Sequence, residues 1–369
     1  VTIGVLGGGQ LGRMLAMAGQ TLDQRFVFLD PSPDATARHV GNLSVGAYDD
    51  EEHLSELARK SDVVTYEFEN VPVTSARFLN ELVHVYPPPR ALEVSQDRVV
   101  EKEFFARLGI PTPAFAAVST RAELEAAVAR LGLPAVLKTR RFGYDGKGQC
   151  VLHTNDDASH AWDAIGSVAL ILEAFSPFER EMSILSVRGT TGETRFWPLV
   201  ENEHRGGILR RSLPQSNAWT PKLQALAEAH AARVLEELDY VGVLAIELFV
   251  KNGEILVNEM APRVHNSGHW TIEGSETSQF ENHVRALLGL PLGSTRMIDH
   301  VGMLNVIGRM PLHADVLAVD GAHLHVYGKE AARGRKIGHV TVRAKTREDL
   351  AQKLETLVPI VDESLAARD

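Results

Sequence analysis

A single cysteine, Cys150, stands in the 369 residues, so no intramolecular disulfide can form. That fits a reducing compartment, and Cys150 reads as a strand residue without a redox role. Long apolar runs are missing as well. The longest candidate, Val241 to Val250, carries Glu247 and falls well short of the roughly 20 residues that span a bilayer. The opening Thr2-Ile3-Gly4-Val5-Leu6 reads as a strand, without the charged and apolar regions of a leader. We therefore expect a cytoplasmic protein with no membrane partner. An excess of positive charge is absent too: 38 Lys and Arg face 48 Asp and Glu, for a net charge of -10. This argues against a nucleic-acid partner, and any anionic ligand must meet a local cluster of cations.

What is present has the make-up of a soluble globular chain, long enough for two or three domains. Up to about residue 90, strands (2–6, 25–29, 62–66) alternate with helices (11–21, 50–60), with Asp49 or Asp50 as an N-cap. That alternation predicts α/β architecture with a parallel, Rossmann-like sheet. Tyr86-Pro87-Pro88-Pro89 is a stiff connector and marks a domain edge. A helix over 95–108 follows, then a small α/β unit over about 112–175. Strands dominate 180–260 apart from a helix over 221–238, giving α+β character to the centre. The end, 297–369, has short strands and a last helix near 347–357. The expected units are 1–92, 93–295 and 296–369.

Three stretches carry chemistry. Gly7-Gly8-Gly9-Gln10-Leu11-Gly12 follows a strand and opens a helix, with Asp30 ending the next strand. This matches the dinucleotide fingerprint, whose bare amides attract an anion, and taken alone it suits an oxidoreductase. The second stretch runs from Ala135 to Gln149. Lys138 ends an apolar strand, and Arg140, Arg141 and Lys147 crowd around Gly143, Gly146 and Gly148. Four cations at that density repel unless an anion joins them, so a phosphate-binding loop is expected; the spacing excludes a Walker A loop. In the third, Val241 to Val250 and Glu254 to Met260 form a hairpin through Lys251-Asn252-Gly253. A two-residue loop would set Glu247 opposite Asn258. A three-residue loop with Gly253 in a bulge sets it opposite Glu259, and this second register is expected. Two opposed carboxylates suit a hard divalent cation such as Mg²⁺.

Together these features resemble the ATP-grasp superfamily, in which a small lid carries the strand lysine and glycine loop and two acidic residues hold Mg²⁺. Further runs narrow the resemblance: Gly7 to Met14, Thr65 to Asn70, Lys138 to Gln149, Glu201 to His204, Asn258 to Arg263, His265 to Thr271, Ser278 to Glu281, Gly289 to Leu292, Tyr327 to Lys329 and Arg335 to His339. They are similar to those of the N5-carboxyaminoimidazole ribonucleotide synthetases, over nearly the whole chain. Two positions depart, Phe142 where glycine is usual and Val264 where proline is expected.

The resemblance implies an N-terminal Rossmann-like domain, a central ATP-grasp domain with its lid at about 112–175, and a small β-rich C-terminal domain. It implies a homodimer that converts ATP, bicarbonate and 5-aminoimidazole ribonucleotide to the N5-carbamate, ADP and phosphate. The nearest alternative is another ATP-grasp ligase, such as the formate-using glycinamide ribonucleotide transformylase. Carried over by position, ATP is bound by Arg98, Lys138, the loop Gly143, Tyr144, Asp145, Gly146, Lys147, Gly148 and Gln149, and the hinge Glu173, Ala174, Phe175 and Ser176. Glu181, His204, Asn258 and Glu259 complete that site, and Glu247 and Glu259 hold Mg²⁺. Arg263, Asp145, His265 and Lys329 are the candidate catalytic groups. Gly9, Gln10, Leu11, Glu67, Tyr144, Asn266, Ser267, Lys329, Arg335 and Lys336 are the candidates for the ribonucleotide. Trp270 is expected in the core.

Overall fold

The computed structural model describes residues 1–143, 148–166 and 168–366. The N-terminal sheet is all parallel, in the order Asn42–Val45, Arg25–Asp30, Thr2–Leu6, Val63–Tyr66. Helices Gln10–Gln20 and Glu51–Lys60 make crossovers, as parallel pairing requires. Asp50 is the cap of the second, accepting from the amides of Glu52 and His53. A helix the sequence did not signal, Val73–Leu82, follows the last strand.

The lid is a four-stranded antiparallel sheet in the order Phe115–Val118, Leu170–Ala174, Ala135–Thr139, Gln149–Leu152. Its helices, Arg121–Leu131 and Asn155–Ile165, both start with a capping box, Thr120 with Glu123 and Thr154 with Asp157. The helix expected over 95–108 is Arg98–Arg107, and a separate helix that the sequence did not signal, Pro89–Ser95, precedes it. Asp97 divides them because its side chain accepts from the amides of Val99 and Val100, which starts a new helix.

The central sheet has nine strands. Glu254–Ala261 is its edge, followed by Gly242–Lys251, Arg180–Arg188, Val200–Arg205 and Ile208–Pro214. His300–Ile307, Lys336–Ala344 and Ala322–Val326 continue the same sheet, and Thr194–Phe196 pairs with Arg180–Arg188. The last helix, Arg347–Ala366, is longer than its sequence suggests and contains Pro359. None of the described helices is long and apolar enough to cross a membrane.

Apolar residues of the first helix, Leu11 and Met14, share one core with Val243 and Ala245 of the central sheet and with Phe280 and Val284, and Trp270 is buried there. Polar ties reinforce this junction. The His283 imidazole accepts from Val243 N at 3.0 Å and meets Thr65 Oγ1 at 3.0 Å, and Arg13 donates to the Tyr327 carbonyl at 3.1 Å.

Glu247 does pair with Glu259, by a different device from the one expected. Lys251 pairs with Glu254, so the loop has two residues, Asn252 at φ 52° and Gly253 at φ 74°. Both are left-handed, as a two-residue turn matched to strand twist requires. The bulge lies four residues further on: Leu248 pairs with Val257 and Glu247 with Glu259, leaving Asn258 as the extra residue.

Candidate active site

One face of the helix Arg98–Arg107 lies along the edge strand Glu254–Ala261. Arg98, at its first turn, forms a short ion pair with Glu259 and donates to the Gly143 carbonyl at 3.3 Å. Across the hairpin, Glu247 faces His265 Nε2 at 3.3 Å. Burial and the neighbouring Glu259 push the Glu247 carboxyl above its usual range. Burial would do the same to Glu259, but Arg98, with Lys138 and Lys102 behind it, outweighs this and holds Glu259 low. The pair is thus short of positive charge on the Glu247 side.

The donor set fits a divalent cation. Asn258 Oδ1, on the residue beside Glu259, is buried without a hydrogen-bond partner. Among the described residues no three His, Cys, Asp or Glu side chains group as a metal shell. A cation on this pair would therefore draw further oxygen ligands from a substrate or water, as Mg²⁺ on nucleotide phosphates does.

Two neighbours complete the pocket. Arg263 pairs with Glu69 at 2.6 Å. His265 Nδ1 meets Ser267 Oγ at 2.9 Å. Burial, then Arg263 and Lys336, hold the His265 pKa well below the usual imidazole value, so this ring is neutral. Arg98, Gly143, Glu247, Glu259, Arg263 and His265 line one cleft together.

Three cations of the glycine loop, Lys138, Arg140 and Arg141, pair with carboxylates of the chain. Arg140 donates to both Asp97 oxygens at 3.0 and 2.9 Å, and Arg141 Nε reaches Asp97 at 3.3 Å. Lys138 donates to Glu173 at 2.8 Å, and Lys102 lies 3.4 Å from the same carboxylate. Protein carboxylates thus offset part of the like charge that the sequence concentrates here. Burial would raise Glu173, but the two lysines outweigh it and hold the carboxyl below its usual range. Tyr144, Asp145, Gly146 and Lys147 lie outside the described residues. Gly148, at φ 70°, and Gln149 start the returning strand. Phe142 is also left-handed, at φ 61°.

In the first glycine loop, too, carboxylates of the chain meet the local donors. Glu67 accepts from Gly9 N at 2.9 Å and Gly12 N at 3.3 Å, and Asp30 accepts from Gly8 N at 2.7 Å and the Tyr48 hydroxyl at 3.0 Å. The amides that a dinucleotide pyrophosphate would need are occupied by carboxylates of the chain. Burial raises the Glu67 pKa, while these amides and the nearby Lys329 and Arg263 oppose that rise. Gln10 starts the helix and is half-buried. Leu11 is only 7% exposed, so its side chain belongs to the core and is not a ligand contact.

Ser267 is fully buried, its hydroxyl between His265 and Ser183 Oγ, so it positions His265 and does not face a ligand. Asn266 exchanges hydrogen bonds with Asn305 at 3.0 and 2.7 Å. The basic cluster divides. Lys336 is close enough to shift Glu247, His204 and His265, whereas Arg335 is exposed and donates to Glu330 O at 3.2 Å.

Glu181 and His204 form a short bond in an adjoining cleft of about 600 Å³. Burial would lower the His204 pKa, but Glu181 outweighs it and raises it. At the hinge, the Ala174 amide donates to Ala114 O at 2.8 Å and that of Phe175 to Pro134 O at 3.2 Å. Those two amides thus tie the hinge to the neighbouring segments of the lid. Sequence reasoning gave no role to Asp97, Glu101, Lys102 or Glu69. The signal was available for two of them: Glu101 and Lys102 stand three and four residues after Arg98, on the same helical face.

A small sheet facing a large one, with paired carboxylates on an edge hairpin below the lid, is the arrangement of an ATP-grasp protein. Three family models match in turn: the ribonucleotide synthetase preATP-grasp domain at residues 1–96, the ATP-grasp domain at 103–280, and the phosphoribosylaminoimidazole carboxylase C-terminal domain at 302–353. The N5-carboxyaminoimidazole ribonucleotide synthase of Pseudomonas aeruginosa is 53% identical, over 98% of this chain and 99% of its own. The crystal structure of the Thermus thermophilus synthetase superposes with a TM-score of 0.94 at 56% identity, covering 97% and 98% of the two chains. The Aspergillus clavatus synthase, solved with ADP and 5-aminoimidazole ribonucleotide, gives 0.91 at 31% identity and 98% coverage of both. The chain belongs to the N5-carboxyaminoimidazole ribonucleotide synthase family.

Proposed function

We propose that this protein uses ATP and bicarbonate to carboxylate the exocyclic amine of 5-aminoimidazole ribonucleotide, releasing ADP and phosphate, as a step of purine biosynthesis. The observation that carries this is the opposed Glu247–Glu259 pair, set between Arg98 and His265 at the mouth of the lid. The relative crystallised with ADP and the ribonucleotide supports the choice of substrates.

Bicarbonate oxygen attacks the γ-phosphoryl group, ADP leaves, and carboxyphosphate forms. The ribonucleotide amine then attacks the carboxyl carbon, directly or after CO₂ is released, and phosphate departs. Positioning and charge neutralisation dominate such a transfer. Glu247, Glu259 and Asn258 would hold Mg²⁺, which neutralises charge on the phosphates. Arg98 and Lys138 orient the polyphosphate, and Glu181 with His204 takes the nucleoside side. Arg263, held by Glu69, faces the transferred group. His265 accepts from the Ser267 amide at Nδ1, so its neutral ring presents Nε2–H to Glu247 and orients that carboxylate, and the proton shed by the amine leaves with the phosphate. Lys329 and Lys336 receive the ribonucleotide phosphate near Glu67 and the first glycine loop. Closure of the lid shields carboxyphosphate from water. We assign the three units to about 1–92, 93–295 and 296–369, and the working form to a cytoplasmic homodimer.

ADP release with ATP, Mg²⁺ and bicarbonate should rise when 5-aminoimidazole ribonucleotide is added. Glu259→Gln should lower kcat by at least about 100-fold, as loss of a phosphoryl-clamping charge does. ATP binding without stimulation by this acceptor would redirect the assignment to another ATP-grasp ligase.

A further inference from the structure

The bulge at Asn258 poses a structural problem. An extra residue in an edge strand leaves its backbone groups outside the ladder, and unpaired buried groups are costly. Here the helix Arg98–Arg107 supplies the partners. Lys102 Nζ donates to the Asn258 carbonyl at 3.0 Å, and Glu101 Oε1 accepts from the Met260 amide at 2.7 Å. Between these two contacts, Arg98 holds the Glu259 carboxylate. Residues at positions i, i+3 and i+4 of one helical face thus grip three successive residues of the strand. Glu101 and Lys102 are each 1% exposed, so neither can meet a ligand.

We propose that Glu101, with Lys102, is a positioning residue that fixes the bulge register and thereby brings Glu259 opposite Glu247. Without the bulge the hairpin places Asn258 opposite Glu247 and turns Glu259 to the other face. The two contacts act on the backbone, and what they set is the geometry of the carboxylate pair. This inference rests on the assignment of that pair to the metal.

The hydrogen-bond account makes a specific demand on chemistry. Glu101→Gln keeps an acceptor for Met260 N, whereas Glu101→Met fills the same space without one. The experiment compares wild-type protein, E101Q, E101M and E259Q in Mn²⁺ titrations of ADP binding and in Mg²⁺-dependent turnover. Circular dichroism and a cooperative melt check the fold. E101M should weaken the apparent Mn²⁺ affinity by about tenfold, the size of one lost buried hydrogen bond, with KM for 5-aminoimidazole ribonucleotide unchanged. E101Q should stay within about threefold of wild type, a fraction of one such bond. A folded E101M with wild-type Mn²⁺ affinity, or an E101Q as impaired as E101M, overturns the proposal. If E101M does not fold, Lys102→Met, which strips the Asn258 contact, takes its place under the same criteria. Mn²⁺ affinity unchanged in E259Q would instead overturn the metal assignment itself, whatever the Glu101 variants do.

Discussion

Phe142 shows how much one backbone angle can explain. Its φ of 61° is in the left-handed region, where a side chain costs about 1–2 kcal/mol and glycine costs little. The ring is 72% exposed, so little packing compensates. A glycine, which the family resemblance leads one to expect here, would take this angle at little cost. Phe142→Gly removes the strain but adds freedom to the unfolded chain, an opposing effect of roughly 0.4–1 kcal/mol. The expected net effect is a gain below about 1 kcal/mol in a urea titration. A loss beyond about 1 kcal/mol would mean the ring packs on something that glycine forfeits. Legibility in the sequence was uneven at this scale. Glu247 and Glu259 were singled out from residue type and place, Arg98, Arg263 and His265 only through the family resemblance, and the structure brings all five together. The partners of the loop cations were not legible, because Asp97 lies 43 and 44 positions from Arg140 and Arg141 and only the fold brings them together.

At the scale of the element, Asp97 does two jobs. It caps the helix Arg98–Arg107 and anchors Arg140 and Arg141 from the lid loop, while only 4% exposed. Losing an N-cap costs about 1 kcal/mol. Leaving arginines without their buried partner costs more, about 3–5 kcal/mol where burial is complete. Asp97→Ala should therefore destabilise by more than the cap alone, and Asp97→Asn, which still caps, should recover about the cap's share. Chemical denaturation of the two variants separates these parts; equal losses would mean the arginine contacts add nothing. The same cap explains a misjudged boundary. Ser95 to Leu108 has one continuous helical pattern, and an aspartate inside it reads as a solvated residue until its side chain is seen to bond Val99 and Val100. The hairpin is the converse case. Asn252-Gly253 signalled the turn correctly, but the bulge that aligns the carboxylates has no local signature, since its partners come from a helix some 156 residues earlier in the chain.

Across the whole molecule, the N-terminal sheet and the central sheet are joined through histidines that must stay neutral. His283 is 1% exposed, accepts from Val243 N, and so presents Nε2–H to Thr65 Oγ1. Burial drives its pKa from 6.5 down to about 3. Burial also lowers His269 and His339, whose rings lie tilted against each other and beside the Tyr327 ring. The sign follows from proton counting. Above pH about 6.5 neither folded nor unfolded chain protonates these rings; below it the unfolded chain does and the folded chain does not. The stability that neutral His283 contributes is therefore lost as pH falls from about 6.5 toward 3, by up to about 1.4 kcal/mol per pH unit, and His269 and His339 act in the same direction. His283→Gln should cost stability at pH 7.5 through lost hydrogen bonds, yet show a shallower decline on acidification. Denaturation midpoints at pH 7.5, 6.5 and 5.5 give the comparison, and the gap between wild type and variant should narrow at each step. A constant gap would mean that His283 is protonated in the folded protein, which requires an acceptor or water at the Thr65 junction.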